Sequence, residues 1–264
     1  MKNLAIILIA LSCLYANPKI TVLTEHLPPL NYTDAKSKIF VKNDKITGFS
    51  TDVVREIAKR TKTDIVIKLM PWARVYKMAQ IDKNTAIYSM TRTKKRENMF
   101  KWVGPLAKKQ SRFYARRDST IVLKSLNDAK KYRIATVKDD SKEQFLKDHG
   151  FTKLESLQSV PKWELALKMV QASRSDMLIS TNFDLPILAK NNGFKPTDFK
   201  PLLTVQNYLL YIGFSKSTDD KIVNQWQKAL DDMKADGTYE KLVKKWAKKF
   251  SANWIYKDGV IQGE

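Results

Sequence analysis

From residue 19 to residue 180 the chain alternates short apolar runs of strand length with amphipathic stretches of helix length, and this alternation restricts its fold more than any other feature. Residues 19–25 (KITVLTE) read as a strand, followed by a turn at Pro28 and Pro29 and a polar excursion over residues 34–44. The segment GFSTD at residues 48–52 opens a helix whose apolar face is Val53, Val54, Ile57 and Ala58, with Ser50 or Thr51 as its cap. Residues 65–69 form the next strand, 72–80 the next helix and 85–89 the third strand. A strand, helix, strand, helix, strand order requires crossover connections, which pair strands in parallel. Ligands of such sheets sit at the carboxyl ends of the strands, where Glu25, residues 70–72 and residues 89–91 fall.

The pattern then recurs. Residues 112–116 are extended, 133–137 form a strand, and the polar turn Lys138, Asp139, Asp140, Ser141 leads into a helix through Lys147. Residues 154–157 are extended, 161–172 helical, and 176–180 (DMLIS) a buried strand running into Thr181, Asn182 and Asp184. After another extended run at 208–215, two helices at 219–236 and 238–250 flank Gly237. Their Ile222, Val223, Trp226, Leu230, Met233, Leu242, Val243 and Trp246 recur at helical spacing, which marks a packed face rather than a site. The expected fold class is α/β, built from two similar units.

The chain begins MKNLAIILIALSCLYANP, a basic residue followed by an apolar core over residues 4–11 that is too short to span a bilayer. Residues 1–16 therefore read as a signal peptide cleaved after Ala16. A competing reading makes Cys13 a lipid-anchored N-terminus, for which Leu11 is a poor fit. Cys13 is the only cysteine, so the exported body is expected to hold no disulfide and no Cys-ligated metal. The 48 Lys and Arg outnumber the 27 Asp and Glu, giving +21 in 264 residues. These charges are spread along the whole chain, and an exported protein does not meet DNA or RNA, so a nucleic-acid partner is not expected. The basic field instead favours anionic ligands or an anionic membrane face.

Residues 86–100 (AIYSMTRTKKRENMF) have the makings of an anion cradle: an apolar strand ending in the hydroxyls of Ser89 and Thr91, then Arg96 in a following helix. Hydroxyls and free backbone N–H groups are neutral donors, and an Arg adds a two-pronged cation for a carboxylate. With the leader, KITVLTEHLPPLNY, GFSTDVVREI, MPWARVYKMA, SMTRTKKRENMFKWVGPL, RIATVKDDS and ADGTYEKLVKKW occur in an order that resembles the family 3 extracellular solute-binding proteins. These are the amino-acid-binding type of periplasmic receptors that feed ABC importers. The resemblance covers roughly residues 18–250 and rests on order and spacing rather than on one motif.

It implies a two-lobed periplasmic-binding-protein type II fold, each lobe a mixed, mostly parallel sheet flanked by helices, joined by two hinge strands. Lobe 1 would comprise residues 17–112 and, after the hinge return, the C-terminal helices of 208–264, with lobe 2 at 113–207. Arg96 would grip the ligand carboxylate with Ser89 and Thr91, Ser141 would donate from the second lobe, and Trp72 would form an aromatic wall with Arg74 as a second cation. Ser141 follows Asp139 and Asp140 where the family usually has a glycine. Thr181 stands where amino-acid receptors place an Asp against the ligand ammonium, a charge that a hydroxyl does not compensate, leaving Asp184 or Glu25 as the available anions.

The partners implied are a small carboxylate-bearing solute, an amino acid or a related compound, and the membrane subunits of an ABC importer; no cofactor is implied, and the receptor is expected to be a monomer. An exported enzyme of the same fold, dehydratase-like, or a sensory protein are the alternatives. His26 and His149 lie far apart in sequence and no HExxH, GxSxG or P-loop is present, so Glu25 is the one acid or base that placement favours.

Overall fold

The computed structural model describes residues 19–37, 40–138, 140–152 and 156–263. The proposed leader and Cys13 lie outside the described residues, as do Asp139 and residues 153–155. Strand β1 (Ile20–Thr24) is followed by the two-residue β2 (Val41–Lys42), helix α1 (Phe49–Arg60), β3 (Ile65–Leu69), α2 (Trp72–Ile81) and β4 (Thr85–Thr91). β1 pairs in parallel with both β3 and β4, as the alternation requires, while β2 adds antiparallel to β3. Successive residues face opposite sides of a strand. Thus Val22, Ala86 and Tyr88 join a core with α1, whereas Leu23 and Ile87 join a second core with Val75 and Ala79 of α2.

The second unit is built the same way. It contains β6 (Ile134–Val137), α3 (Ser141–Asp148), β7 (Leu157–Val160), α4 (Trp163–Gln171), β8 (Met177–Thr181) and α5 (Asp184–Asn191), with β6 parallel to β7 and β8. Ile134 and Ile179 pack on one side with Leu146 of α3, and Ala135 and Leu178 on the other with α4 and α5. Of the extended segment expected at 154–157, residues 154 and 155 lie outside the described residues; the strand itself is Leu157–Val160, fixed by the ladder from Ile134↔Leu157 to Val137↔Val160. α5 was not expected from the sequence; Pro186 sits in its first turn, where a missing N–H breaks no helical bond.

Two 17-residue strands, β5 (Phe100–Arg116) and β9 (Phe199–Ser215), pair antiparallel along the middle of the molecule. The sheet order is β2-β3-β1-β4-β9-β5-β8-β6-β7, so the two units hang from either side of this pair. The chain then forms α6 (Asp220–Ala235) and α7 (Thr238–Phe250), which return to the first core with Trp226, Leu230, Met233, Val243 and Trp246. A terminal hairpin of β10 (Trp254–Lys257) and β11 (Val260–Gly263) turns at Asp258 and Gly259, both at positive φ, and joins β5 through Ile261↔Ala107. No helix among the described residues is long and apolar enough to cross a membrane.

The cap of α1 differs from expectation. Ser50 and Thr51 lie inside the helix, and Gly48 occupies the N-cap position with φ 133°. A Cβ there would stand 2.3 Å from the Leu30 carbonyl oxygen, which already accepts from Ser50 N and Thr51 N. Gly48→Ala is expected to lower stability by at least the ~1–3 kcal/mol of a glycine-only backbone conformation. Chemical denaturation measures this, and an unchanged midpoint would show that the loop carrying Leu30 yields freely.

Candidate functional site

The carboxyl end of β4 is irregular. Ser89 takes φ +60° at a bulge where pairing with β9 shifts between Tyr88 and Met90. Its hydroxyl is buried and has no hydrogen-bond partner among the described residues. The helix expected around Arg96 is absent. Residues 92–98 (RTKKREN) carry no apolar face to bury, and the chain makes a turn and one 3₁₀ turn (Glu97–Met99) before β5. The turn is held by Arg92, whose Nε donates to Glu97 Oε2 at 2.8 Å. There is accordingly no helix N-terminus here to offer an anion.

Arg96 is nevertheless fixed. Its Nη1 donates to the Thr91 carbonyl at 3.1 Å, and its guanidinium lies 5.1 Å from the Trp72 ring centre and 5.0 Å from that of Tyr76. Trp72 and Tyr76, one helical turn apart on α2, are themselves stacked at 5.3 Å. Trp72 is thus half-buried against Arg96 and Tyr76. Arg74 does not join them. Two residues along an α-helix is about 200° of rotation, so positions 72 and 74 face opposite ways. The exposed Arg74 guanidinium lies 5.0 Å over the ring of Phe40 instead.

Just past β1, Glu25 is half-buried. Burial pushes its carboxyl above the ordinary glutamate value, against the pull of Lys109 and Arg96. A folded state that holds this proton more tightly than the unfolded chain is relatively stabilised as pH falls, and loses that gain as pH rises from 4.5 through the raised value. Glu25→Gln is therefore expected to flatten the stability profile in that window and to raise the neutral-pH melting temperature of the ligand-free protein. Thermal melts across the window test this, and a parallel profile would mean that Glu25 is solvated.

Between the two units lies a pocket of about 170 Å³ lined by Thr91, Lys109, Ser111, Ser141, Lys142, Thr181, Gln206 and Tyr208. Thr91 ends β4, Thr181 ends β8, and Ser141 and Lys142 open α3. The floor comes from the long strands, where Lys109 pairs with Tyr208 and Ser111 with Gln206. These are alternate positions on both strands, so all four share one face. Of the residues singled out from sequence, the pocket gathers Thr91, Ser141 and Thr181. Arg96, Trp72 and Ser89 do not line it, and Glu25 stands within the electrostatic reach of its Lys109.

A second pocket of about 390 Å³ adjoins it and shares Lys142, with Asp140, Trp163, Asp184, Ile187 and Leu188 among its walls. Asp140 caps α3 by accepting from Lys142 N at 2.8 Å, and its carboxylate lies 3.5 Å from Lys142 Nζ. Thr181 Oγ1 accepts from Asp184 N at 3.0 Å, so this hydroxyl ties the end of β8 to the start of α5. Sequence reasoning missed Lys109, Ser111, Lys142, Gln206 and Tyr208. For the four on the long strands the only sequence signal is polar residues at alternate positions within otherwise strand-like runs, and for Lys142 it is adjacency to Ser141 at the start of α3.

Residues 20–249 match the family model of the bacterial extracellular solute-binding proteins, family 3. The probable amino-acid-binding protein YxeM of Bacillus subtilis (strain 168) is 25% identical over 213 residues, 78% of each chain. The L-cystine-binding protein TcyA of the same organism is 26% identical over 208 residues, 77% of this chain and 73% of the relative. The unliganded open form of the L-cystine solute receptor of Neisseria gonorrhoeae has the same fold, with a TM-score of 0.70 at 20% identity over 90% of this chain and 94% of that one.

Proposed function

We infer the function from the family: the chain belongs to the bacterial extracellular solute-binding proteins, family 3, and its fold is the two-lobed periplasmic-binding-protein type II fold. The chain acts as an exported receptor that captures a small polar, carboxylate-bearing solute, an amino acid or a related compound, and delivers it to an ABC importer. One observation carries this reading. The pocket takes its walls from both units and its floor from the two strands that join them, so a bound solute touches both sides at once. The lobes, residues 17–112 with the C-terminal helices and residues 113–207, close on the ligand by bending at the long strands. A closed state that makes contacts the open state lacks is favoured by ligand in proportion to those contacts. Arg96, resting on the pocket residue Thr91, is the cation that closes onto the carboxylate, with Trp72 holding its plane. Residues 1–16 direct export and are removed.

Protein released from the periplasm should begin near Asn17, carry a small acid identifiable by mass spectrometry, and contract on rebinding it, as read by small-angle scattering. Recovery of a full-length cytosolic protein, or a ligand that leaves the scattering curve unchanged, would overturn this reading. A second reading is supported by Glu25, whose raised carboxyl beside Lys109 and Arg96 is suited to proton transfer in an enzyme of the same fold. Turnover of the recovered ligand decides for the enzyme, and its return unchanged decides for the receptor.

A further inference from the structure

The small pocket offers donors throughout. Two ammonium groups (Lys109, Lys142), the hydroxyls of Thr91, Ser111, Ser141, Thr181 and Tyr208, and the Gln206 amide line it, and among the described residues no carboxylate does. The lysines arrive from different places, Lys109 from a joining strand and Lys142 from the first turn of α3. Lys109 makes no ion pair among the described residues, whereas Lys142 is set between Asp140 at 3.5 Å and the ring of Trp163 at 4.9 Å.

The carboxylates nearby each have another role. Asp140 caps α3, and Glu25 lies in the field of Lys109 and Arg96. Asp184 begins α5 and faces the neighbouring pocket with Trp163, Ile187 and Leu188. Thr181 adds no charge, and its oxygen already accepts the Asp184 N–H. An ammonium group placed here would lose its water beside two ammonium groups, with Asp140 already paired to Lys142 and Glu25 set against Lys109 and Arg96, while an acidic group would find two cations and a ring of hydroxyls.

The geometry points to a ligand that carries two acidic groups and no ammonium group, a small dicarboxylate, with Lys109 and Lys142 as the cations of the pocket itself and Arg96 closing onto it from beside Thr91. This rests on the receptor reading above and narrows its solute class.

Paired probes that differ only in the ammonium group test it: glutarate against L-glutamate, and succinate against L-aspartate, by calorimetry on the mature protein. At least one dicarboxylate is expected to bind ~10-fold or more tightly than its amino counterpart, about 1.4 kcal/mol. Thr181→Asp, which keeps an oxygen for the Asp184 N–H, is expected to reverse that preference. Because Thr181 is buried, Lys109→Gln and Lys142→Gln provide a second arm. Each should weaken the bound dicarboxylate severalfold while circular dichroism stays unchanged. L-Glutamate and L-aspartate each binding as tightly as its dicarboxylate partner, or more tightly, overturns the inference and leaves the receptor reading intact. The inference falls in the same way if all four probes fail while another solute is carried through purification. Failure of all four in a protein that carries no solute overturns both.

Discussion

Trp226→Ala is expected to remove about 3–5 kcal/mol of folding stability, the range for truncating a large aromatic in a closed core. Trp226 is 0% exposed on α6 and meets Phe214 of β9 edge to face at 5.0 Å. Its Nε1 donates to Thr63 Oγ1 at 3.2 Å, which ties α6 to the loop entering β3. The hydrogen bond is the smaller loss, since Thr63 Oγ1 also pairs with Thr61 Oγ1 at 2.7 Å and is not orphaned. The cavity and the lost ring contact dominate. Denaturant unfolding of the ligand-free protein should show a lower midpoint, and Trp226→Phe should recover most of it. A loss below ~1 kcal/mol would mean that α6 collapses into the gap, contrary to the dense packing of interiors.

That prediction draws on the most legible part of the sequence. Trp226, Leu230 and Met233 lie at helical spacing in a segment otherwise rich in Lys and Asp, and only one face of such a helix can be buried. β3 is equally plain, since five consecutive positions (IVIKL) lead from a polar turn to the Met70-Pro71 break. β5 and β9 are legible over less than half their length. Gly104 and Pro105 look like a turn, yet they sit inside β5 where its register with β9 shifts between Val103 and Ala107, an irregularity that lets a strand continue past residues that would end a regular ladder. The terminal hairpin does have a sequence signal in Asp258-Gly259, the dipeptide that adopts positive φ at both positions with least strain, but the strands it joins are only four residues each, too short for alternation to mark them.

The candidate pocket was legible where it sits at strand ends and obscure where it sits on strands. Thr91 was singled out because parallel sheets place ligands at the carboxyl ends of their strands, and Thr181 through the family resemblance. Lys109 and Tyr208 were not, because a lysine or tyrosine within an extended run usually faces solvent. Only the pairing of residue 109 with 208 and of 111 with 206 shows that these positions form a single surface. Arg74 failed for a geometric reason that the sequence contained: a residue two places from Trp72 on a helix cannot share its face.

Arg96→Ala is expected to reduce affinity for the co-purified acid by at least ~2 kcal/mol, the cost of deleting one partner of a desolvated, hydrogen-bonded charge pair. Arg96 holds its position through Thr91 O at 3.1 Å and through two ring contacts near 5 Å, and such cation–π contacts are worth about 0.5–1 kcal/mol each at partly exposed sites. The stability lost with the side chain should therefore be small beside the affinity lost. Arg96→Lys separates charge from geometry. An ammonium keeps the charge but not the planar fork that lies against the rings of Trp72 and Tyr76 while presenting parallel N–H donors, so the lysine variant should bind more weakly than the parent and better than the alanine variant. Calorimetry gives the affinities, and thermal melts of the ligand-free variants give the structural part. If both variants bound like the parent, Arg96 would serve only to support Thr91 and α2, and the ligand's acidic group would rest on Lys109 and Lys142 alone.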